Sequence, residues 1–360
     1  MLNFTVGPVM SYKEILEVSG MQTPYFRTSE FSEIMFENER LILEYLYAPA
    51  GSKCAFLTTS GTGGMEACVI GLLQKIDKVA VINGGTFGYR FVELCKVHSI
   101  PYVEIKCDFG KQISDEDLSC LDGTGITALL VNMDETSSGL LYNMKIISDF
   151  CKRNSIFLIV DAISSFLADD LNMESLSANA VIMASQKALS LQPGISIVAL
   201  DKNALDRVYS SDENIMYLSL KNSLENMKRG QTPFTPAVSI LLQLNARLRM
   251  IKSEGGPGFE VAKTKKLAEY FRNNIKKFPF TLLIDDAYNR SNAVTAVVTC
   301  KNNADYICET LKNKYDIWIC PNGGIYKDSI FRIGHIGDLS VNDYDVLFDA
   351  LDSMSYARFI

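Results

Sequence analysis

Between residues 54 and 200 the chain repeats one pattern, a short apolar run followed by a polar stretch long enough for a helix. Strands are expected near Cys54–Thr59, Val79–Asn83, Tyr102–Lys106, Ala128–Met133, Phe157–Asp161, Val181–Ala184 and Ser196–Leu200. Each is apolar or β-branched throughout, as in strands covered on both faces, so the alternation predicts a mostly parallel sheet between helices. The first ~30 residues are broken by Gly7-Pro8 and Thr23-Pro24 and read as irregular; a helix is expected from about Ser32 to Tyr47. From Pro236 the period changes: Val238, Leu241, Leu242, Leu244, Leu248 and Ile251 give a helix over 237–254, which Gly255-Gly256-Pro257-Gly258 ends. A second helix (about 259–277), strands near 281–284, 292–299, 317–320 and 331–333, and helices near 304–313 and 341–354 make a smaller α/β lobe. No internal repeat or low-complexity tract interrupts this order.

The pattern brings two polar residues together. Asp161 closes the run Ile156–Val160, and Lys187 follows the run Ala180–Ala184. If those strands pair in parallel, both residues stand at the same carboxyl edge, where open α/β sheets build their sites. A buried carboxylate needs a partner, and a lysine in a loop of low charge has its amine made more nucleophilic. An amine that can form a Schiff base, beside a carboxylate that can hold a pyridinium proton, is what a protein supplies to pyridoxal phosphate. The plainer alternatives are a helix N-cap for Asp161 and a surface lysine.

Composition narrows the classes. With 360 residues and 48% hydrophobic content the chain can bury a large core, and its length favours two domains. The net charge of −7 mixes 35 basic with 42 acidic residues in no long single-sign run, which argues against a nucleic-acid partner. No window approaches ~18 apolar residues, and the first residues lack the basic and apolar regions of a signal peptide, so a cytoplasmic protein with no membrane partner is expected. The nine cysteines are scattered, with no C-x-x-C pair, and read as small buried hydrophobes. Only His98 and His335 occur, which disfavours a multi-histidine metal site or a Ser-His-Asp triad, and no metal is expected.

Four further stretches carry chemistry. Ser60-Gly61-Thr62-Gly63-Gly64 follows a strand and opens a helix expected from Met65, so its backbone N–H groups can close on an anion. It lacks the third glycine of a dinucleotide fingerprint and the Gly-Lys-Ser/Thr of a P-loop. Gly85-Thr86-Phe87-Gly88 presents an aromatic at a strand end, either to lie flat on a ring or to fill the core. Asp134-Glu135-Thr136-Ser137-Ser138-Gly139 places hydroxyls at another strand end, as ligands or as a capped turn. Arg332, alternating with apolar neighbours in Phe331-Arg332-Ile333-Gly334, is suited to a substrate carboxylate or to a structural ion pair.

In order and spacing, S-G-T-G-G-M-E-A, G-x-F-G-x-R, E-T-S-S-G, V-D-A-I-S-S, S-Q-K-A-L and F-R-I-G-x-I-G resemble the class V aminotransferases of the pyridoxal-phosphate fold-type I superfamily. The likeness is to the group acting on alanine, serine or 2-aminoethylphosphonate with glyoxylate or pyruvate, and it covers nearly the whole chain. It implies a mostly parallel seven-stranded sheet in a large domain (21–240), a small C-terminal domain (241–360) and an N-terminal segment (1–20) crossing to the small one. It implies that Lys187 carries the Schiff base and moves the proton, and that Asp161 pairs with the pyridinium nitrogen. Gly61, Thr62 and Gly63, with Ser60 and Gln186, are implied at the phosphate, Phe87 and Ile163 at the ring, and Thr136 near the ring oxygen. Arg332, with Gly7 and Arg27, is implied on the substrate side. A homodimer with shared sites is implied too, in which Thr232 or Thr235 of Gln231–Pro236 reaches the partner's phosphate. Met133 stands where the phosphonate group often carries a histidine and Phe26-Arg27 where it carries a His-Arg pair, so the donor stays open among 2-aminoethylphosphonate, alanine and serine. A lyase of the cysteine desulfurase type, with Cys320 as its thiol, and a silent cofactor-binding protein are the alternatives; Gln186 stands where such lyases carry a histidine.

Overall fold

The computed structural model describes residues 1–211, 215–285 and 290–354. Its large sheet has seven strands: β1 (Lys53–Leu57), β2 (Val79–Asn83), β3 (Tyr102–Lys106), β4 (Ala128–Asn132), β5 (Phe157–Asp161), β6 (Ala180–Ala184) and β7 (Ser196–Leu200). Their order is β1-β7-β6-β5-β4-β2-β3. Strands β2 to β6 are parallel where they pair, and β7 runs antiparallel to both β1 and β6. β4, β5, β6 and β7 are buried at every position, which is why their sequences are apolar runs rather than alternations.

Alternate residues of each strand feed two separate cores. Leu129, Val131, Leu158, Val160, Val181 and Met183 pack on one face, and Ala128, Leu130, Phe157, Ile159, Ala180 and Ile182 on the other. Each fully buried Val, Leu, Ile or Phe contributes roughly 1.5–3 kcal/mol, so a one-residue slip of any strand is strongly disfavoured. The β5–β6 register, Ile159 opposite Ala180 and Asp161 opposite Ile182, therefore fixes where Asp161 and the chain leading to Lys187 emerge.

A second, antiparallel sheet has the order Phe280–Leu282, Val294–Thr299, Ile330–Gly334, Cys320–Pro321. Its core includes Phe271, Phe331 and Tyr344, together with Phe4 from the far N-terminus. Among the described residues no helix is long and apolar enough to cross a membrane.

Three local expectations change. The first ~30 residues are not irregular throughout: Leu2–Asn3 pairs in parallel with Ile317–Trp318, and Lys13–Ser19 is a helix. That helix lacks a side-chain cap and buries only Ile15, so its sequence carries almost no start signal. The stretch 317–320 is two pieces, because Ile317–Trp318 pairs with the N-terminus while Cys320–Pro321 pairs with Arg332 and Phe331. The glycine-rich helix starts at Gly61 rather than Met65. Its glycines are poor helix formers kept for space: a Cβ at Gly63 would lie 2.1 Å from Thr59 Oγ1 and one at Gly64 2.0 Å from Ser196 Oγ.

Candidate active site

The carboxyl ends of β1, β2, β4, β5 and β6 meet on one edge. The helix Gly61–Leu72 starts there with no side-chain cap from Ser60, leaving its first N–H groups and its dipole for an anion. Gly61 closes against the neighbouring strand ends, since a Cβ would lie 2.5 Å from Ile163 Cδ1 and 3.2 Å from Ala184 Cβ. The cradle thus lies directly beside the loops that follow Asp161 and Ala184.

Asp161 is 6% exposed and its Oδ1 accepts the Ile163 N–H at 2.8 Å. Burial pushes its carboxyl up to about 6; the Ile163 N–H and the charges of Lys187 and Arg90 only partly oppose that. A carboxylate in this position gains from a further cation. Lys187 is 9% exposed, and its Nζ donates to the Val6 carbonyl at 2.7 Å. Burial pulls its amine below the ordinary lysine range; Cys320, Asp134 and Asp161 oppose the shift and Arg332 adds to it. Gly7 leans on the same lysine with φ at +134°, and a Cβ there would lie 2.8 Å from Lys187 Cδ.

A third group of contacts comes from the E-T-S-S-G stretch. Glu135, fully buried, accepts from the backbone N–H groups of Phe87 (3.3 Å), Gly88 (3.0 Å) and Ser137 (3.2 Å), and from Asn132 Nδ2 at 3.1 Å. It caps the helix Thr86–Val97 from a neighbouring strand, and so sets where the half-buried Phe87 ring stands. Thr136 Oγ1 donates to Ser164 Oγ at 3.1 Å, and its carbonyl accepts from Arg332 at 3.0 Å. A second guanidinium nitrogen of Arg332 donates to the Pro321 carbonyl at 2.9 Å, while its Nε is buried without a partner.

These contacts draw Gly7, Gly61, Thr136, Asp161, Ile163, Gln186, Lys187 and Arg332 around one edge, with Ser60, Thr62, Gly63 and Phe87 along the cradle and the adjoining helix start. Arg27 stands apart: its guanidinium donates to Gln231 Oε1 (3.3 Å) and to the carbonyls of Thr232 (2.8 Å) and Pro233 (3.2 Å). Thr232 donates to the Phe234 carbonyl at 2.8 Å, and Thr235 is exposed. Just after their loop, the Ala237 N–H reaches Thr58 Oγ1, beside the cradle of its own chain, at 3.1 Å. Two groups escaped the sequence reading. The Val6 carbonyl is backbone and carries no side-chain signal, and Glu135 looked like part of a turn; its motif position was the one available hint.

The donor set fits pyridoxal phosphate. A glycine-lined helix start suits the phosphate, the strained carboxylate of Asp161 suits a protonated ring nitrogen, and a desolvated amine suits the aldehyde. Gln186 Oε1, moreover, is buried with no partner of its own. Among the described residues no cluster of three or more His, Cys, Asp or Glu side chains could hold a metal ion.

A family model described as aminotransferase class-V matches residues 12–323. An uncharacterized aminotransferase of Helicobacter pylori is 31% identical over 359 residues, covering 98% of this chain and 93% of that protein. An L-aspartate–glyoxylate aminotransferase of Paracoccus denitrificans is 24% identical, covering 94% and 86%. In structure, the chain is similar to pyridoxamine–pyruvate aminotransferase from Mesorhizobium loti, with a TM-score of 0.93 at 22% identity, covering 99% and 92% of the two chains.

Proposed function

Because the chain belongs to the class V aminotransferases and is a pyridoxal-phosphate enzyme, we propose that Lys187 and Asp161 are its central catalytic pair. The reaction is the transfer of an amino group from a small donor (alanine, serine or 2-aminoethylphosphonate) to pyruvate or glyoxylate. The observation that carries this reading is the adjacency of a desolvated amine and a buried carboxylate at neighbouring parallel strand ends, beside a helix start lined with glycine.

When bound, the cofactor supplies an aldehyde for amine exchange and a cationic ring that accepts electrons. Asp161 would pair with the ring nitrogen and favour its protonated form. The backbone N–H groups of Gly61 and Thr62 would hold the phosphate, with Gly63, whose N–H goes to the Ser60 carbonyl at 2.9 Å, giving the close approach and Ser60 and Gln186 at the margin. Phe87 and Ile163 would pack against the ring, and the Thr136 hydroxyl would be available to it. Once free, the Lys187 amine would take the substrate's Cα proton and return it on the far side of the transferred nitrogen, two atoms along; its lowered proton affinity suits a general base. The Val6 carbonyl receives the free amine and keeps it within the site.

Arg332 binds the substrate carboxylate. Two carbonyls fix its guanidinium and its Nε–H still lacks a partner, so one acidic group completes it. Within one chain Arg27 is committed to the 231–233 loop and Arg90 to Thr62, which leaves one clamp and favours donors with one acidic group over aspartate. Arg27 serves the substrate side, as the resemblance implies, through that loop in a homodimer. Of the two threonines there, Thr235 is the better partner-phosphate ligand, because the Thr232 hydroxyl is already donated to Phe234.

Cys320 does not favour the lyase reading. Its Sγ accepts the Val6 N–H at 3.4 Å, and it lies on a strand paired with Arg332 rather than on a free loop. The test is a spectral screen in which the yellow enzyme is mixed with alanine, serine, aspartate and 2-aminoethylphosphonate. Bleaching by one of the three single-acid donors, faster than by aspartate, supports the reading; fastest bleaching by aspartate overturns the single-clamp assignment.

A further inference from the structure

Arg90 has no part in the chemistry above, yet it contacts two of its stations. On the helix Thr86–Val97 it stands one turn after Phe87, with its guanidinium carbon 5.0 Å from the Phe87 ring centroid. Its NH1 donates to Thr62 Oγ1 at 3.1 Å. Its charge is also felt at Asp161.

The bond to Thr62 has a directional consequence. A hydroxyl has one hydrogen to give and two lone pairs to receive. Arginine can only donate, so with the guanidinium on its oxygen Thr62 keeps its hydrogen for another acceptor. The helix start supplies the place for one, since Thr62 is the second residue of Gly61–Leu72, whose start has no side-chain cap and suits an anion. The planar fork of the same guanidinium lies against Phe87, whose backbone N–H is held by Glu135. Both moving parts of the cradle, a hydroxyl rotor and a ring, are tied to one cation.

We propose that Arg90 is a positioning residue for the cofactor: by donating to Thr62 Oγ1 it aims the hydroxyl's single hydrogen at the phosphate, and by stacking on Phe87 it fixes the face offered to the ring. This rests on the reading of Gly61–Gly63 as the phosphate station.

The test is equilibrium titration of the full-length cofactor-free chain with pyridoxal phosphate and, separately, with pyridoxal, which lacks the phosphate. Wild type, Arg90→Gln, Arg90→Lys, Thr62→Val and Arg90→Gln/Thr62→Val are compared, each first checked for a native circular-dichroism spectrum. Arg90→Gln is expected to weaken pyridoxal phosphate about tenfold, the scale of one charge-assisted hydrogen bond, and pyridoxal by no more than about twofold. The double variant is expected to bind pyridoxal phosphate at most about twofold more weakly than Thr62→Val alone, because the phosphate effect of both runs through one hydrogen and only the Phe87 contact is lost in addition. Arg90→Lys keeps the charge without the planar fork and is the variant to read if Arg90→Gln does not fold; a loss of about threefold, confined to pyridoxal phosphate, is expected. An equal loss for both ligands, strict additivity in the double variant, or no loss in either Arg90 variant overturns the proposal. If Thr62→Val itself leaves pyridoxal phosphate binding unchanged, it is the phosphate-station reading that fails.

Discussion

Asp161 shows how one side chain joins fold to chemistry. It ends a strand buried on both faces, and burial, only partly opposed by the Ile163 N–H and the charges of Lys187 and Arg90, leaves its carboxyl pushed up to about 6. A protonated ring nitrogen relieves that cost. In the cofactor-free chain the carboxyl gains its proton as pH falls through about 6 and then loses the charge that attracts the ring. Affinity for pyridoxal phosphate is therefore expected to rise with pH through about 6, measured by titration across pH 5 to 8, and Asp161→Asn is expected to lack that component. The same substitution is expected to lower kcat by about 10²–10⁴-fold, the scale of a misplaced proton. A titration curve that Asp161→Asn leaves unchanged would count against this role.

At the scale of elements, the strands were legible because their burial leaves apolar runs, and Phe157–Asp161 and Ser196–Leu200 stand where the pattern puts them. The antiparallel sense of β7 was not legible, since a fully buried strand carries the same apolar residues in either direction. Nor was the early start of the glycine-rich helix, because propensity alone disfavours glycine there and only the packing against Thr59, Ile163 and Ser196 explains it. Gly63→Ala is accordingly expected to cost about 1–3 kcal/mol, read by denaturant unfolding, since the added methyl meets Thr59 within the same fold. Glu135 carries a comparable lesson. As a sequence letter it belonged to a turn, but it caps a separate helix through the Phe87 and Gly88 N–H groups while holding the Ser137 N–H of its own turn. Glu135→Ala leaves those donors buried and unpaired, and a loss of about 3–5 kcal/mol is expected in the same assay.

Across the whole molecule, the N-terminal segment and a buried acid pair connect the two sheets to the site. Phe4 lies in the core of the small sheet, two residues before the carbonyl that receives Lys187. On the opposite flank, Ser291 Oγ reaches both Asp134 Oδ2 (2.8 Å) and Asp169 Oδ2 (3.1 Å). Burial, reinforced by Asp169, pushes Asp134 up to about 8, and burial pushes Asp169 up to about 6. A carboxyl whose folded pKa exceeds its unfolded value binds more protons when folded, so stability is lost as pH rises from about 4 towards about 8. Asp134→Asn mimics the protonated acid. It is expected to match the parent near pH 4 and to exceed it by about 1–3 kcal/mol near pH 8, by thermal unfolding at both.

The central claim, that Lys187 is the covalent anchor of the cofactor, is tested most directly by borohydride reduction of the loaded enzyme followed by peptide mapping. One cofactor-modified lysine, Lys187, is expected, with no adduct and no transamination in Lys187→Ala. Attachment at another lysine in the parent, or a Lys187→Ala variant that still transaminates at the parent rate, would contradict it.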